Sequence, residues 1–120
     1  MRCIFCDIKE YILENELSYA VFDKFPASKG HMLFITKRHV ESFFEITTEE
    51  RTSIFELINK GKKILDNQYA PDGYNIGVNI GESAGQTIMH FHFHLIPRYK
   101  GDILDPRGGI RGAIPEKMKY

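Results

Sequence analysis

The sequence contains no tryptophan, only two cysteines and no excess of charge of either sign. Its 16 basic and 16 acidic side chains cancel, so overall charge does not indicate a nucleic acid or a membrane surface as a partner. Long hydrophobic runs are missing too, and Met32-Leu33-Phe34-Ile35 is far too short to span a bilayer. Charged residues interrupt the apolar residues near the N-terminus, which is unlike a signal peptide. We therefore predict a soluble, cytoplasmic protein that binds neither membrane nor nucleic acid.

The 120 residues are enough for one compact domain, and we predict a single domain over residues 1–120. A hydrophobic fraction of 42%, with nine phenylalanines and six tyrosines, predicts an ordinary core rich in aromatic rings. From about residue 101 the chain becomes rich in glycine, arginine and proline. This tail is expected to be solvated and flexible. Arg107 and Arg111 within it are candidates for reaching phosphates.

Secondary-structure patterns along the chain indicate an antiparallel α+β domain. A short helix is possible within residues 3–17. A long helix begins at Thr47, which has the capping-box spacing to Glu50, and ends before Pro71-Asp72-Gly73. Gly61 on its apolar stripe either allows a close approach of the helix or is merely tolerated. Apolar, β-branched and aromatic residues predict four strands, at residues 18–23, 31–36, 74–80 and 89–97.

Three histidines alternate with apolar residues in the last predicted strand. Successive side chains on a strand point to opposite faces, so His90, His92 and His94 should share one face, while Phe91 and Phe93 pack on the helix. Two chemistries remain open for this row. Three imidazoles can hold a catalytic zinc ion with an open position. A neutral imidazole with one nitrogen hydrogen-bonded can instead attack an electrophile through the other nitrogen.

The segment Gly85-Gln86-Thr87 precedes the histidines and favours the second chemistry. Glycine allows close backbone approach, and the glutamine and threonine side chains offer donors to an anion. This combination suits a phosphate better than a metal-bound water. We therefore predict that a histidine of this row attacks phosphorus as a nucleophile.

The same residues resemble the histidine triad (HIT) superfamily. His90 to Ile96 fits its signature of three histidines alternating with apolar residues. Pro26-Ala27-Ser28-Lys29-Gly30-His31 and Lys37-Arg38-His39 also match, and the resemblance extends from Cys3 to about Asp102. It implies a five-stranded antiparallel sheet with one long helix and a short N-terminal helix, assembled as a homodimer.

The resemblance also implies cleavage of nucleotides at the α-phosphorus through a nucleotidyl-histidine intermediate. By position, His92 is the nucleophile, His94 contacts phosphate oxygens and His31 is the fourth histidine of the site. Gln86 and Thr87 are implied to contact the phosphate or the leaving group. The positions implied to bind the nucleotide are Phe22, Asp23, Lys24, Asn79, Gly85, Gln86, Thr87, His92 and His94.

Two of these positions also have a plain structural explanation. Asp23 stands where a residue holding the ribose hydroxyls is common, and Asn79 stands at another polar contact position. Aspartate and asparagine are equally common in turns and caps, so a structural role remains an alternative for both.

The two cysteines have the spacing Cys3-x-x-Cys6, which in a reducing compartment suggests a metal site or a redox pair. With His39 and His90 they would complete a closed tetrahedral zinc site of two thiolates and two imidazoles. The alternative is a pair of reduced thiols. Minimal members of the superfamily lack the cysteines, so we predict a bacterial or archaeal type of member with structural zinc and no organic cofactor.

The resemblance leaves several functions to be distinguished. The first is a dinucleoside polyphosphate hydrolase acting on molecules such as diadenosine tetraphosphate. The second is a hydrolase of adenosine 5′-phosphoramidates, which uses the same histidine chemistry on another leaving group. Two further alternatives are a nucleotide-binding regulatory protein and a zinc hydrolase that uses all three strand histidines.

Overall fold

Five strands form one antiparallel sheet in the spatial order β1-β2-β3-β5-β4. The structure, a computed structural model, describes residues 3–120. The strands are β1 (Leu13–Glu14), β2 (Ser18–Phe22), β3 (Met32–Thr36), β4 (Gly73–Gly77) and β5 (His92–Arg98), and the α-helices are α1 (Ile4–Asp7) and α2 (Thr48–Tyr69). The predicted α+β architecture is confirmed. Within residues 3–120 no helix combines the length and the apolar character that a membrane span requires.

The long helix α2 begins at the predicted capping box. The Thr47 hydroxyl accepts a hydrogen bond from the backbone N–H of Glu50 at 3.0 Å, and the Glu50 carboxylate accepts one from the backbone N–H of Thr47 at 2.9 Å. These two bonds satisfy N–H groups that a helix start leaves without partners. The helix ends at Ala70, whose left-handed conformation (φ 47°) stops it just before Pro71.

The apolar stripe of α2 packs on one face of the sheet and forms the main core. Leu57 and Leu65 of the helix lie fully buried with Phe34 of β3. Gly61 faces the same strand, and a Cβ atom there would lie 2.7 Å from Cζ of Phe34 and 2.8 Å from Sδ of Met32. Gly61 is therefore needed for the close approach of helix and sheet, which decides between the two alternatives left by the sequence.

Two predicted strand boundaries are wrong by three residues, and four others by one. β5 begins at His92, because the backbone N–H of Phe91 bonds to the carbonyl of Val40 in a loop instead of to the ladder. β4 ends at Gly77, because the chain then leaves the sheet toward Gly81, which adopts a positive φ of 88°. The two-residue strand Leu13–Glu14 was not predicted, since so short a segment has no visible period.

The tail is exposed or half-buried throughout residues 101–120, and part of it is folded. Two short 3-10 helices, Gly109–Ala113 and Pro115–Lys117, fold back toward the sheet, and Cδ1 of Ile110 lies 3.9 Å from the position of a Cβ on Gly77. The tail arginines do not extend into a site. Arg107 pairs with Asp105, and Arg111 donates to the carbonyl of Lys117.

Candidate active site and zinc cluster

The histidine-bearing face of the sheet lies opposite α2. On β5, Phe93 and Leu95 pack into the core beneath the helix, so His92 and His94 face the other side. Beside them on that face lies a second apolar cluster that includes Phe5, Tyr19 and Ile35. This packing fixes the direction in which the imidazoles project.

His92 is held in one tautomer by the chain that precedes it. Its Nδ1 lies 2.8 Å from the carbonyl oxygen of His90, which can only accept, so Nδ1 carries the proton and donates. The lone pair is then on Nε2. The ring of Phe5, a buried residue between the two cysteines in the sequence, lies edge-on to the His92 ring at 5.0 Å. Nε2 of His92 is therefore the nitrogen that can act as a nucleophile on this face of the sheet.

His31 and His94 form a directed chain of hydrogen bonds. The backbone N–H of Ala27 donates to Nδ1 of His31 at 2.9 Å, so Nε2 of His31 carries the ring proton. Nε2 of His31 lies 2.9 Å from Nδ1 of His94, which must accept. Nε2 of His94 is therefore an N–H donor. It is buried and has no hydrogen-bond partner within the described chain.

The electrostatic setting keeps both of these rings neutral. Burial, together with His92 and His31, lowers the pKa of His94 to about 4. Burial also lowers the pKa of His31, and the carboxylate of Asp23, 3.6 Å from Nε2, opposes this only in part. Near neutral pH each ring therefore has one donor and one acceptor, as the hydrogen-bond chain requires.

Gln86 shapes the loop before the histidines. Its side-chain oxygen accepts from the backbone N–H of Gly81, and its side-chain nitrogen donates to the carbonyls of Glu41 and Ile88. Both ends of the amide are thus occupied, so the predicted direct contact with the phosphate is corrected to a supporting role. Gly85 in the same loop has a positive φ of 94°, which favours glycine.

The other predicted nucleotide contacts surround this face. Asn79 and Gly85 line a cavity of about 800 Å³ together with His31 and His94. Asp23 is beside His31, and its other carboxylate oxygen accepts from the backbone N–H of Phe25. The turn explanation therefore holds for Asp23, and its contact with the nucleotide stays a prediction. The remaining three predicted contacts are exposed side chains at the ends of neighbouring loops and strands: Phe22, Lys24 and Thr87.

Sequence reasoning missed two contributions to the site. One is the backbone N–H of Ala27, which no side-chain pattern can reveal. The other is the tail, since Ile110, Ala113 and Ile114 line the cavity that contains His94. Nothing in the spacing of these apolar residues among glycines predicted that they would fold against the sheet.

The four predicted zinc ligands form one cluster, with all ligand atoms within 4.8 Å of one another. Nδ1 of His90 lies 3.2 Å from Sγ of Cys3 and 3.5 Å from Sγ of Cys6, which is 3.4 Å from Nδ1 of His39. Ligands at tetrahedral zinc are about 3.5 Å apart, given bonds of about 2.0 to 2.3 Å. Nε2 of His90 donates to the carbonyl of Thr36, which leaves Nδ1 free to ligate. The donor set fits zinc.

Asp23, His31 and His94 are also close enough to share a cation. The hydrogen bonds argue against it. A metal on Nε2 of His31 would move the ring proton to Nδ1, where it would meet the backbone N–H of Ala27. The chain of hydrogen bonds from Ala27 through His31 to His94, rather than a metal, explains why these side chains lie close together.

Comparison with known proteins places the chain in a family. The model of the HIT domain matches residues 8–101. An uncharacterized HIT-like protein of Methanocaldococcus jannaschii is 40% identical over 106 residues, covering 83% of this chain and 81% of its own. An adenosine 5′-monophosphoramidase of Schizosaccharomyces pombe is 38% identical over 104 residues (82% and 75%). An AP-4-A phosphorylase of Mycobacterium tuberculosis is 32% identical over 111 residues, covering 90% of this chain but 56% of its own.

Solved structures agree with the sequence comparison. A HIT family protein of Bacillus subtilis superposes with a TM-score of 0.78 at 35% identity, covering 98% of this chain and 90% of the other. A zinc-bound histidine triad protein of Mycobacterium smegmatis superposes with a TM-score of 0.76 at 30% identity, covering 86% and 79%. With its three alternating histidines, its sheet order and these relatives, the chain belongs to the HIT domain family.

Proposed function

We propose that the protein is a nucleotide hydrolase or nucleotidyl transferase that cleaves at the α-phosphorus through a nucleotidyl-histidine on His92. One observation carries the proposal. The hydrogen bonds set complementary tautomers on neighbouring rings, with a lone pair on Nε2 of His92 and a buried, unpartnered N–H on His94. A nucleophile beside an unused donor suits an electrophilic centre that carries anionic oxygens.

The reaction proceeds in two displacements. Nε2 of His92 forms a bond to the α-phosphorus while the bond to the leaving group breaks, and the leaving group takes the bonding electron pair and a proton from water. The N–H of His94 donates to a non-bridging oxygen and stabilises the charge that develops there. Water then attacks phosphorus, the N–P bond breaks, and the nucleoside monophosphate leaves. Asp23 and Asn79 are proposed to contact the nucleoside, and Gly85 and Thr87 the phosphate.

Two substrates are supported by the relatives. A dinucleoside polyphosphate is supported by the relative named an AP-4-A phosphorylase. An adenosine 5′-phosphoramidate is supported by the relative named an adenosine 5′-monophosphoramidase, which is more similar to this chain and covered over more of its length. The two substrates share the adenylyl half and the attack by His92.

The three strand histidines do not converge on one metal, which disfavours the zinc hydrolase. His90 turns its Nδ1 toward Cys3 and Cys6, whereas His94 turns its Nδ1 toward His31. We infer instead that Cys3, Cys6, His39 and His90 hold zinc in a structural role, as the donor set and the zinc-bound relative support.

The test is intact-protein mass spectrometry of the wild type and His92→Ala. Each is mixed with diadenosine tetraphosphate and with adenosine 5′-phosphoramidate. We expect an adenylyl adduct or release of AMP in the wild type only, because an alanine side chain has no nucleophilic nitrogen.

Retained binding of AMP by His92→Ala, measured by calorimetry, shows that the variant is folded. Equal turnover in both proteins would overturn the proposal. Nucleotide binding without any adduct or AMP in the wild type would favour the regulatory alternative.

A homodimer is part of the proposal because β4 is an edge strand that pairs only with β5 within residues 3–120. An unpaired edge with a half-exposed Ile76 is a surface for another copy of the chain. Sedimentation of the wild type and Ile76→Lys tests this. A monomeric wild type would contradict it.

A further inference from the structure

The cluster of Cys3, Cys6, His39 and His90, here called the cysteine cluster, has two sides with different surroundings. Cys6 is exposed and Cys3 is half-buried, so the thiol side of the cluster faces solvent. His90 is fully buried instead, and its Nδ1 lies 3.2 Å from Sγ of Cys3. The cluster therefore connects the protein surface with the segment that leads into the candidate active site.

His90 connects the cysteine cluster to the proposed nucleophile. Its carbonyl oxygen accepts the hydrogen bond from Nδ1 of His92 at 2.8 Å, which leaves the lone pair of His92 on Nε2. The ring of His90 is held between the thiols and the carbonyl of Thr36, which accepts from its Nε2 at 2.6 Å. A change at the thiols that displaces His90 therefore also disturbs the hydrogen bond that orients His92.

Phe5 makes a second connection between the cysteines and His92. It stands between Cys3 and Cys6 in the sequence and is buried beneath the short helix α1. The centroid of its ring lies 5.0 Å from that of His92 and 6.0 Å from that of His90. A movement of Cys3 and Cys6 relative to each other therefore also displaces a ring that contacts the proposed nucleophile.

The two thiols have the features of a site that hydroperoxides oxidise. Thiols that ligate zinc are deprotonated, and oxidation of cysteine follows thiolate character and exposure. Cys6 is exposed, and its Sγ lies within 4.8 Å of Sγ of Cys3, so a second thiol is at hand to form a disulfide. Sulfurs joined in a disulfide are no longer thiolates, so the disulfide and bound zinc exclude each other at this site.

We propose that Cys3 and Cys6 are a reversible oxidation site for hydroperoxides, and that forming their disulfide releases zinc and inactivates His92. The oxidation itself depends only on the cysteine cluster. The loss of activity rests on the proposed function, to which it adds a form of regulation.

The oxidation takes two steps. Sγ of Cys6 bonds to one oxygen of hydrogen peroxide while the O–O bond breaks and hydroxide leaves, which gives a sulfenic acid. Sγ of Cys3 then bonds to this sulfur while the S–O bond breaks and a second hydroxide leaves. Two protons from solvent convert both hydroxides to water, so the thiolates lose two electrons and the peroxide gains them. A dithiol reverses the reaction by exchange, and the restored thiolates bind zinc again.

The experiment treats the zinc-loaded wild type and Cys6→His with hydrogen peroxide, and afterwards with dithiothreitol and zinc. Histidine is a zinc ligand that cannot form the disulfide, and the variant keeps every methionine, so it controls for methionine oxidation. A chromophoric chelator measures zinc release, and alkylation with mass spectrometry measures free thiols. Long-range ¹⁵N–¹H correlation spectroscopy reports on the ring of His92. Release of AMP from adenosine 5′-phosphoramidate gives the activity, and each protein is compared with itself before peroxide.

In the wild type we expect peroxide to release zinc as both thiols become inaccessible to alkylation. The ring signals of His92 should change, and release of AMP should slow about tenfold or more, because misplacement of a reacting group is costly. Dithiothreitol with zinc should reverse all of these effects. Cys6→His should keep its zinc and its own starting activity through the same treatment.

Thiols that stay accessible to alkylation, or a disulfide that forms without release of zinc, would overturn the proposed oxidation site. A disulfide that leaves the signals and the activity of His92 unchanged would overturn its connection to the nucleophile. An equal loss of activity in Cys6→His would assign the effect to other residues and contradict the proposal. The measurements on the wild type decide the proposal even if the variant binds no zinc.

Failure of the proposed function looks different from failure of this inference. In that case the reduced, zinc-loaded wild type itself releases no AMP, while its thiols, its zinc and the ring signals of His92 still respond to peroxide.

Discussion

His90 and His94 are four residues apart on one segment, yet their rings have opposite relations to their surroundings. Both nitrogens of His90 are occupied, one beside the thiols of Cys3 and Cys6 and the other on the carbonyl of Thr36. His94 accepts from His31 on one side, and its other nitrogen is buried without a partner in the described chain. The arrangement around His90 suits a closed structural site, whereas His94 has an N–H donor that is available to a ligand.

The difference shows that the neighbours of a histidine, rather than its place in a motif, determine what it can do. His92 lies between the two and is tied to both. It donates to the carbonyl of His90, and its ring lies 5.1 Å from that of His94. The cysteine cluster therefore borders the segment that orients the proposed nucleophile, while the unpartnered N–H of His94 is available to a substrate in the proposed mechanism.

The largest effect that separates the two histidines is expected from His94→Phe. The substitution keeps a flat ring and removes the donor, so kcat should fall about a hundredfold to a thousandfold, as for the loss of one donor to a developing oxyanion. Zinc content, measured by atomic emission, should be unchanged. Turnover within about threefold of the wild type would show that His94 does not serve the reacting phosphate.

A second, smaller effect is expected from Cys3→Ser. Zinc content should fall from about one ion per chain to almost none, because a hydroxyl replaces a thiolate ligand. Loss of a closed site that contributes about 2 kcal/mol should lower Tm by roughly 10 °C in a domain of this size. Calorimetry of Cys3→Ser and Cys6→Ser should give similar values. Equal zinc content in the variants and the wild type would contradict the structural zinc site assigned to His90 and the two cysteines.

The smallest effect concerns pH. Burial lowers the pKa of His94 to about 4, whereas in the unfolded chain it is about 6.5. Between these values the unfolded state binds more protons than the folded state, so the free energy of unfolding falls as the pH falls through this window. The stabilising contribution of His94 is therefore fully present above the window and is lost as the pH falls. Solvent screening of the partly exposed ring reduces the contribution of His94 to about 1 kcal/mol between about pH 7 and pH 5.

Urea unfolding of the wild type and His94→Phe at both pH values measures this contribution. The variant should lose less stability than the wild type on acidification. Zinc loss at low pH affects both proteins, so it cancels in the difference. An identical loss in both would contradict the neutral, buried state assigned to His94.

Much of the fold followed from local patterns. The capping box of Thr47 and Glu50 and the three-residue and four-residue spacing of the apolar stripe predicted α2, because both features act within one turn of the chain. The alternation of phenylalanine and histidine predicted which side of β5 faces the core. The ends of β4 and β5 were wrong because they depend on bonds to distant residues, such as Phe91 to Val40.

The types of residue in the candidate site could be predicted from the sequence, but the contacts between them could not. The histidines and cysteines were identified because few other residues supply a nucleophile or a zinc ligand. The sequence could not show that Gln86 bonds to three backbone groups, or that Ala27 fixes the tautomer of His31, since these contacts exist only in the folded chain. The short 3-10 helices of the tail were not predicted, because Ile110 and Ile114 lack a period that a local pattern can detect.

The most direct test of the proposed site is the tautomeric state of its three histidines, measured by long-range ¹⁵N–¹H correlation spectroscopy of the zinc-loaded protein near neutral pH. We expect neutral rings with the proton on Nδ1 of His92 and on Nε2 of His31 and His94. A proton on Nδ1 of His94, or a charged imidazolium at His31 or His94, would contradict this assignment. The site would then lack the neutral tautomers that place an N–H donor on Nε2 of His94 beside His92.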